Sequence, residues 1–133
     1  MCADTENFYT LRIFGNVHYT EKDFRFFKKL STSTNFVINE DRKFDYFNLE
    51  DILAVANFVI DESPSIRDVN LVYKDKLLLT EQVSLFCDVN KISPEVVVNS
   101  TGYHLTGNPD NLLSFNLPLQ GLVKGFEKYS QFR

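Results

Sequence analysis

The residue types that most often do chemistry in proteins are sparse in this chain and lack the spacings that catalysis or metal binding needs. His18 and His104 are isolated from cysteines and carboxylates, so a loop or surface role is favoured over metal ligation. Serines and threonines are common, but none lies in a Gly-x-Ser-x-Gly turn with an evident histidine partner. We therefore predict neither a metal site nor nucleophilic catalysis.

One pair of adjacent carboxylates, Glu50 and Asp51, could supply a general acid and a general base. Such a pair needs two opposite environments, which neighbours in the first turn of a helix rarely have. Both residues stand just after Asn48, a residue type that often caps helices, and negative charge is favoured at a helix N-terminus. The sequence therefore predicts a helix-start role for both carboxylates.

Positive charge is concentrated on one predicted helix. Apolar residues recur there at helical spacing, which leaves the opposite face to Lys22, Arg25, Lys28 and Lys29. From the residues alone two interpretations stay open for this basic face. It is either a solvated surface, which is the favoured interpretation, or an anion-binding site.

Apolar periodicity alternates between short strand-like and longer helix-like segments, which is typical of an α/β fold. The pattern predicts strands at residues 8–14, 36–38, 43–47, 68–73, 77–79, 95–99 and 103–105. It predicts helices at 21–30 with Thr20 as N-cap, at 49–60, at 80–90 with Thr80 as N-cap, and at 118–129, with a turn at 107–110. In helix 49–60 one apolar face is expected from Leu49, Ile52, Leu53, Ala56, Val59 and Ile60. No repeat or linker divides the chain, so we expect one domain over residues 1–133.

Composition limits the class of protein further. Of the 133 residues, 44% are hydrophobic and 13 are phenylalanine, enough to build one folded core. The formal net charge is -4 and no basic face is large enough to release counterions, so nucleic acid is not an expected partner. The first residues have neither the basic region nor the apolar run of a signal peptide, and no segment is long enough to span a membrane. We expect a cytoplasmic protein without a membrane partner.

Two segments carry a resemblance to a known family. Residues 42–53 read Arg-Lys-Phe-Asp-Tyr-Phe-Asn-Leu-Glu-Asp-Ile-Leu, and Asp110 is followed by Pro118-x-x-x-Leu122-x-x-Gly125. Together they resemble the substrate-side, C-terminal half of the extended short-chain dehydrogenases/reductases, the NAD-dependent nucleotide-sugar epimerases, dehydratases and reductases that include the GDP-fucose synthases. The likeness covers about residues 7–129. It implies an α/β fold in which a partial parallel sheet with flanking helices joins a small substrate-binding lobe, without the N-terminal Rossmann half.

The cofactor and catalytic motifs of that family do not occur in this sequence. No Gly-x-x-Gly-x-x-Gly turn follows a first strand, and no Tyr-x-x-x-Lys pair is found. The resemblance therefore implies no catalytic residue and no bound cofactor in the isolated chain, although the family uses NAD or NADP. We expect the chain alone to be inactive as an oxidoreductase.

The resemblance also implies a set of substrate-binding residues. Asn16 stands at or next to the end of a strand that in the family approaches the nicotinamide and the sugar. Phe44 takes the position of an arginine that in many members contacts the diphosphate of the nucleotide sugar. Arg42 could reach that diphosphate instead, together with Arg25 and Lys28, and Phe44 could stack on a base or sugar. A nucleotide sugar is therefore the implied ligand.

Other positions of the motif fit the family less evenly. Asp45, Glu50 and Asp51 match its acidic residues, and Asp110 matches the aspartate of an Asp-x-Ser-Lys type segment. The residues after Asp110 lack the expected basic side chain. Because of these departures, the resemblance indicates the superfamily but does not indicate one substrate.

A substrate-side half on its own leaves strands uncovered. Residues 8–14 and 68–73 are expected to be apolar on both faces, as in a sheet covered by helices. We therefore expect either a homo-oligomer or docking onto a partner chain that carries the Rossmann half. Three function classes stay open: the nucleotide-sugar-binding half of a two-chain enzyme, a non-catalytic remnant that acts as an oligomeric structural or interaction protein, and a gene fragment without a role of its own.

Overall fold

Three two-stranded parallel sheets and five helices are found in residues 8–131, the part of the chain that the computed structural model describes. In chain order the elements are β1 (Thr10–Ile13), β2 (Gly15–Val17), α1 (Phe26–Thr32), β3 (Asn35–Asp41), β4 (Tyr46–Asn48), α2 (Leu49–Glu62), β5 (Asp68–Leu71), α3 (Leu79–Asn90), β6 (Glu95–Thr101), α4 (Asp110–Ser114) and α5 (Leu122–Gln131). The pairs are β1 with β5, β2 with β4 and β3 with β6. The predicted α/β class with partial parallel sheets and flanking helices is confirmed.

The chain changes sheets at Phe14, between β1 and β2. The sequence pattern predicts that Gly15 ends a strand, but this residue begins β2 and pairs opposite Tyr46. A side chain at this position would place its Cβ 2.7 Å from Cε1 of Phe44 and 3.0 Å from the Tyr46 ring. Glycine is therefore needed here for close packing of β2 on two aromatic rings and does not mark a turn.

The hydrophobic core has two clusters, and phenylalanine rings are concentrated in the first. In the first, the Phe27 ring lies 4.6 Å from the ring of Phe126 and 5.4 Å from that of Phe86, centroid to centroid, which ties α1 to α3 and α5. The second cluster packs α2 and α4 on β4 and β5 through Phe47, Val55, Val59, Val69, Leu71 and Leu112. Edge-to-face and tilted ring contacts thus contribute to the packing of the first cluster, whereas the second is mainly aliphatic.

The helix predicted at residues 21–30 begins later, at Phe26, and Thr20 does not cap it. The Thr20 hydroxyl lies 2.5 Å from Nδ1 of His18, so its bonding capacity is used two residues away. Threonine side chains commonly make such local bonds in turns, and the resulting turn delays the helix. The pattern also predicts Thr80 as an N-cap, but α3 begins at Leu79, and Thr80 donates its backbone N–H and its hydroxyl to Asp41.

Other predicted elements shift as well. β3 runs without a break through residues 39–41, which the pattern predicts to separate two strands. The expected turn at 107–110 leads into α4, a short helix that periodicity does not indicate, and α5 begins at Leu122 instead of near Pro118. The shifted ends lie at element boundaries, which sequence patterns define least well, whereas α4 is a whole element that the pattern missed.

In α2 the predicted cap is confirmed, but the predicted apolar face is wrong in part. The Asn48 side chain accepts the N–H of Glu50 at 3.0 Å. Asp51, Val55 and Val59 are the buried residues, whereas Leu53 is 57% and Ile60 74% exposed. Residues four apart lie on one side of a helix, so the buried polar contacts of Asp51 fix the rotation of α2.

The sheet of β1 and β5 is also less apolar than predicted. Arg12 on β1 donates an N–H from each terminal guanidinium nitrogen, Nη1 and Nη2, to the carboxylate of Asp68 on β5, and both residues are exposed. Asn70 adjoins this ion pair on the same face. One face of this sheet is therefore polar and open to water, and the other packs on the core through Val69 and Leu71 of β5.

Candidate functional site

Two cavities lie side by side along the approach to α1 and share the side chains of Phe24 and Phe26. The larger, about 450 Å³, is also lined by Lys29, Glu40 and Arg42 and reaches β3. The smaller, about 320 Å³, is lined by Phe14, Gly15, Arg25, Phe44 and Tyr46. We call the surface formed by Phe24, Arg25, Phe26, Arg42, Phe44 and Tyr46 the aromatic cleft.

Phe44 forms the wall of the smaller cavity and is held by backbone bonds on both sides. Its N–H donates to the Leu77 carbonyl at 3.3 Å, and it bridges to Leu105 in parallel fashion. Its ring centroid lies 4.7 Å from that of Tyr46. Because Gly15 has no side chain, both rings pack directly on β2. The aromatic wall is thus fixed by the fold before any ligand binds.

Arg42 joins the two cavities. Its guanidinium carbon lies 5.7 Å from the centroid of the Phe44 ring, within the range of a cation–π contact. Its nearest carboxylate oxygen, on Glu40, is 3.8 Å away, longer than a hydrogen bond, and its Nε is buried without a hydrogen-bond partner. The cation is therefore positioned by stacking while much of its donor capacity stays uncommitted.

The structure brings together three of the five predicted substrate-binding residues. Arg25 and Phe44 line the smaller cavity, and Arg42 lines the larger one beside Phe44. Lys28 donates its ammonium group to the Tyr19 carbonyl at 2.9 Å, and Asn16 pairs opposite Phe47 within the sheet of β2 and β4. Neither Lys28 nor Asn16 is among the residues that line the two cavities.

Sequence reasoning missed the aromatic residues of the cleft other than Phe44. Phe24 is 77% exposed, and Phe26 and Tyr46 line the smaller cavity beside it. Burial raises the pKa of Tyr46 to about 12, so its hydroxyl stays protonated at neutral pH. The alternation of aromatic and basic residues at 24–26 and 42–46 was the available signal, since stacking surfaces beside cations are typical of sites for charged aromatic ligands.

The two histidines have contacts that account for them. His18 Nε2 lies 3.9 Å from Oε1 of Glu50, and burial lowers the pKa of His18. Lys128 forms an ion pair with Glu50, and this contact lowers the pKa of Glu50. His104 Nδ1 accepts the backbone N–H of Lys43 at 2.9 Å. Within residues 8–131 there is no group of three or more His, Cys, Asp or Glu side chains that could hold a metal ion.

Two buried carboxylates join segments that are distant in the sequence. Asp45, the residue after Phe44, accepts hydrogen bonds from the Lys76 ammonium group at 3.0 Å on both oxygens and from the Gly107 N–H at 2.7 Å. Asp51 accepts the backbone N–H groups of Gln120 at 2.7 Å and Gly121 at 2.9 Å. Asp51, which is 1% exposed, therefore does more than favour a helix start as predicted.

No protein-family model and no curated protein matches the sequence. Among solved structures, the chain is similar to RMD from Pseudomonas aeruginosa complexed with NADPH, with a TM-score of 0.71 and 13% identity over 91% of this chain and 46% of that chain. It is also similar to UDP-glucuronic acid 4-epimerase from Bacillus cereus in complex with UDP-glucuronic acid and NAD, with a TM-score of 0.69 and 12% identity over 92% of this chain and 45% of that one. UDP-glucose 4-epimerase from Thermus thermophilus in complex with NAD gives a TM-score of 0.69 and 12% identity over 92% and 46%.

These likenesses show the fold. The chain spans less than half the length of each of these proteins. The implied resemblance to part of an NAD-dependent epimerase or dehydratase is therefore supported at the level of the fold, while a specific likeness to GDP-fucose synthases is not. Among residues 8–131, no helix combines the length and the apolar character that crossing a membrane requires.

Proposed function

We propose that this chain forms the nucleotide-sugar-binding part of an NAD(P)-dependent epimerase, dehydratase or reductase, with the aromatic cleft as the site for the nucleotide diphosphate. Redox chemistry would need a dinucleotide-binding half, because these 133 residues contain neither a Gly-rich turn nor a Tyr-x-x-x-Lys pair. The fold supports the proposal, since similar structures contain NAD, NADPH or UDP-glucuronic acid. We place this function in the cytoplasm, as expected from the sequence.

The observation that carries the proposal is the position of Arg42 over Phe44 at the junction of the two cavities. A guanidinium can bind two phosphate oxygens at once, and a flat aromatic wall beside it can stack on a base or sugar. A nucleotide diphosphate presents both features in one molecule. The two cavities hold about 450 and 320 Å³, within the range of small-molecule sites.

The local charge favours an anion as well. Arg25, Lys29 and Arg42 line the two cavities, whereas Glu40 is the single carboxylate among the lining residues. The whole chain has a formal net charge of -4, so this excess of positive charge is a local feature. Anions are attracted to such a region and held by charge-assisted hydrogen bonds.

We further propose that the missing half covers the outer edges of the sheet of β1 and β5. Within residues 8–131 each of these strands pairs with the other and with no third strand. Ile13 on β1 is 49% exposed, in addition to Leu53 and Ile60 on α2. A sheet of two strands is marginal by itself, so a partner that adds strands here would stabilise both halves.

The proposal is tested by titration of the purified chain with UDP- and GDP-sugars, followed by calorimetry and ligand-observed NMR. We expect weak binding, in the millimolar range, that Arg42→Ala reduces about tenfold or more, since a charge-assisted hydrogen bond contributes about 1.5–3 kcal/mol. Arg25→Ala should also weaken binding. Lys28→Ala is the matched control, because its ammonium group is bonded to Tyr19 outside the cleft.

Two outcomes would overturn the nucleotide-sugar proposal. One is the absence of binding at millimolar ligand, and the other is binding that Arg42→Ala and Lys28→Ala affect equally. The second candidate function, an oligomeric structural or interaction protein, would then be the better account. It is favoured by the phenylalanine at position 44 and by exposed valines on β6.

A further inference from the structure

The edge strand β6 is unlike the other strands in its exposure. All seven of its residues are exposed, including Val96, Val97 and Val98 at 37%, 47% and 43%. It pairs with β3 alone, and within residues 8–131 no strand lies on its other side. Its outer row of backbone N–H and C=O groups is therefore open to another strand.

The direction of those groups follows from one bond. The N–H of Glu95 donates to the Thr34 carbonyl at 2.8 Å, toward β3. Backbone groups alternate in direction along a strand, but the alternation shifts after Val98, where the ladder skips Asn39 and Asn99 and the N–H of Gly102 donates to Asp41 of β3 at 3.0 Å. The N–H and C=O groups of Val96 and Val98 therefore point to the open edge. An incoming strand would bond to these residues.

We propose that a second copy of this chain pairs with the open edge, with β6 antiparallel to its own copy about a two-fold axis at Val97. This arrangement places Val96 opposite Val98 of the copy, so that their outward groups bond to each other, and the two Val97 residues opposite each other. The four strands β3, β6 and their copies then form one continuous sheet. The proposal goes beyond the nucleotide-sugar site and does not rest on it.

The charge pattern of β6 supports a second copy in this orientation. Glu95 is the only charged residue of the strand. Antiparallel pairing separates the two Glu95 carboxylates by about 13 Å, from four residues at about 3.3 Å each, which exceeds the Debye length in physiological salt. Parallel pairing in register would place the two carboxylates side by side. The strand is therefore self-complementary only when its copy runs antiparallel.

Protective features are scarce along this edge. Edge strands usually carry a lysine, a proline or a bulge that blocks pairing, and β6 contains no lysine and no proline. Pro94 stands just before it and limits pairing to one end. Val37 of β3 is 51% exposed next to Val97, its partner in the ladder, so the apolar strip continues across both strands. A closed two-fold pair covers this edge without leaving a new one.

The first test is sedimentation velocity of the 133-residue chain at 5–200 μM, an order-of-magnitude range around typical weak dimers. We expect a reversible dimer. Val98→Pro removes an outward N–H without removing a bond to β3, and Val98→Lys places two ammonium groups beside the axis; each should weaken dimerisation at least tenfold. Val37→Lys is the control, because it adds the same charge to the neighbouring strand but leaves the edge intact. Circular dichroism checks that every variant is folded.

The second test fixes the register. In a background in which Cys2 and Cys87 are replaced by serine, Val97→Cys should give a disulfide-linked dimer under mild oxidation, since opposite residues of a non-hydrogen-bonded pair lie about 4.5 Å apart between Cα atoms. Glu95→Cys should not, because its copies would be far apart. A monomer at 200 μM, a dimer that both Val98 substitutions leave unchanged, open-ended aggregates, or equal cross-linking at both positions would each overturn the proposal.

Discussion

Replacement of Asp51 by alanine should destabilise the fold more than any other single change to a charged residue on α2. Its carboxylate is 1% exposed and accepts the N–H groups of Gln120 and Gly121 and the hydroxyl of Tyr73, the last at 2.5 Å. Burial, and then Asp51 itself, raise the pKa of Tyr73, so this hydroxyl remains a donor at neutral pH. Loss of the carboxylate leaves three donors without an acceptor.

The magnitude follows from the cost of unsatisfied buried groups. Each such donor costs about 1–3 kcal/mol, and water that enters the vacated space will satisfy part of the loss. We therefore expect Asp51→Ala to lower the free energy of unfolding by about 3–5 kcal/mol, a large fraction of the roughly 5–15 kcal/mol of a typical domain. Asp51→Asn should cost about 1–2 kcal/mol, because the amide oxygen still accepts.

Urea unfolding at pH 7, followed by far-UV circular dichroism, measures these differences. Asp61→Ala is the matched control, because Asp61 lies exposed on the last turn of the same helix. Its removal should change stability by less than about 0.5 kcal/mol. Hydrogen exchange should also accelerate at the Gln120 and Gly121 amides in Asp51→Ala. A loss below about 1 kcal/mol, with unchanged exchange at these amides, would refute the assignment of a structural role to this contact.

Four further predictions concern the cleft, a buried acid, the outer face of α2 and catalysis. Gly15→Ala should weaken nucleotide-sugar binding and cost about 1–3 kcal/mol of stability, because the new Cβ would lie 2.7 Å from Phe44; calorimetry and urea unfolding test both effects. Burial raises the pKa of Glu21 above 4.5, so its contribution to stability is full below pH 4.5 and declines as the pH rises through the folded-state value. Glu21→Gln keeps an acceptor for Tyr129, now 2.6 Å away, and should flatten this decline in unfolding curves measured from pH 4 to 7; an unchanged slope would contradict it. Ile60→Lys should alter the free energy of unfolding by less than about 0.5 kcal/mol, as thermal or urea unfolding will show, since Ile60 is 74% exposed. The chain alone should not oxidise NADPH above background with any of a panel of nucleotide sugars, and measurable turnover by a purified preparation would disprove this.

Part of the aromatic cleft could be predicted from the sequence. The family resemblance predicts that Arg25, Arg42 and Phe44 cooperate, and the fold places them around adjoining cavities. Lys28 belongs to the same prediction because it follows Arg25 on the same predicted helix. The helix begins only at Phe26, and Lys28 bonds to the Tyr19 carbonyl instead. A shift of a few residues in one helix start therefore decides which cations share a site.

What the sequence determined by itself is what short-range physics controls. Alternating apolar periodicity was enough for the α/β class, and the polar side chain of Asn48 was enough to predict the start of α2. Capping and periodicity act over a few residues, so their signals can be read locally. The absence of a Tyr-x-x-x-Lys pair is likewise a property of the sequence alone.

Tertiary structure decided the features that join distant residues. Asp51 bonds to Gly121, 70 positions later, and this contact turns α2 so that Ile60 faces outward despite its apolar side chain. The open edge of β6 also depends on pairing with β3, about 60 residues earlier in the chain. A buried carboxylate has to find donors wherever the fold supplies them, because an unpaired buried charge costs more than an exposed isoleucine. The apolar periodicity of α2 cannot show which of these two costs is larger, because the groups that donate to Asp51 lie far away in the sequence.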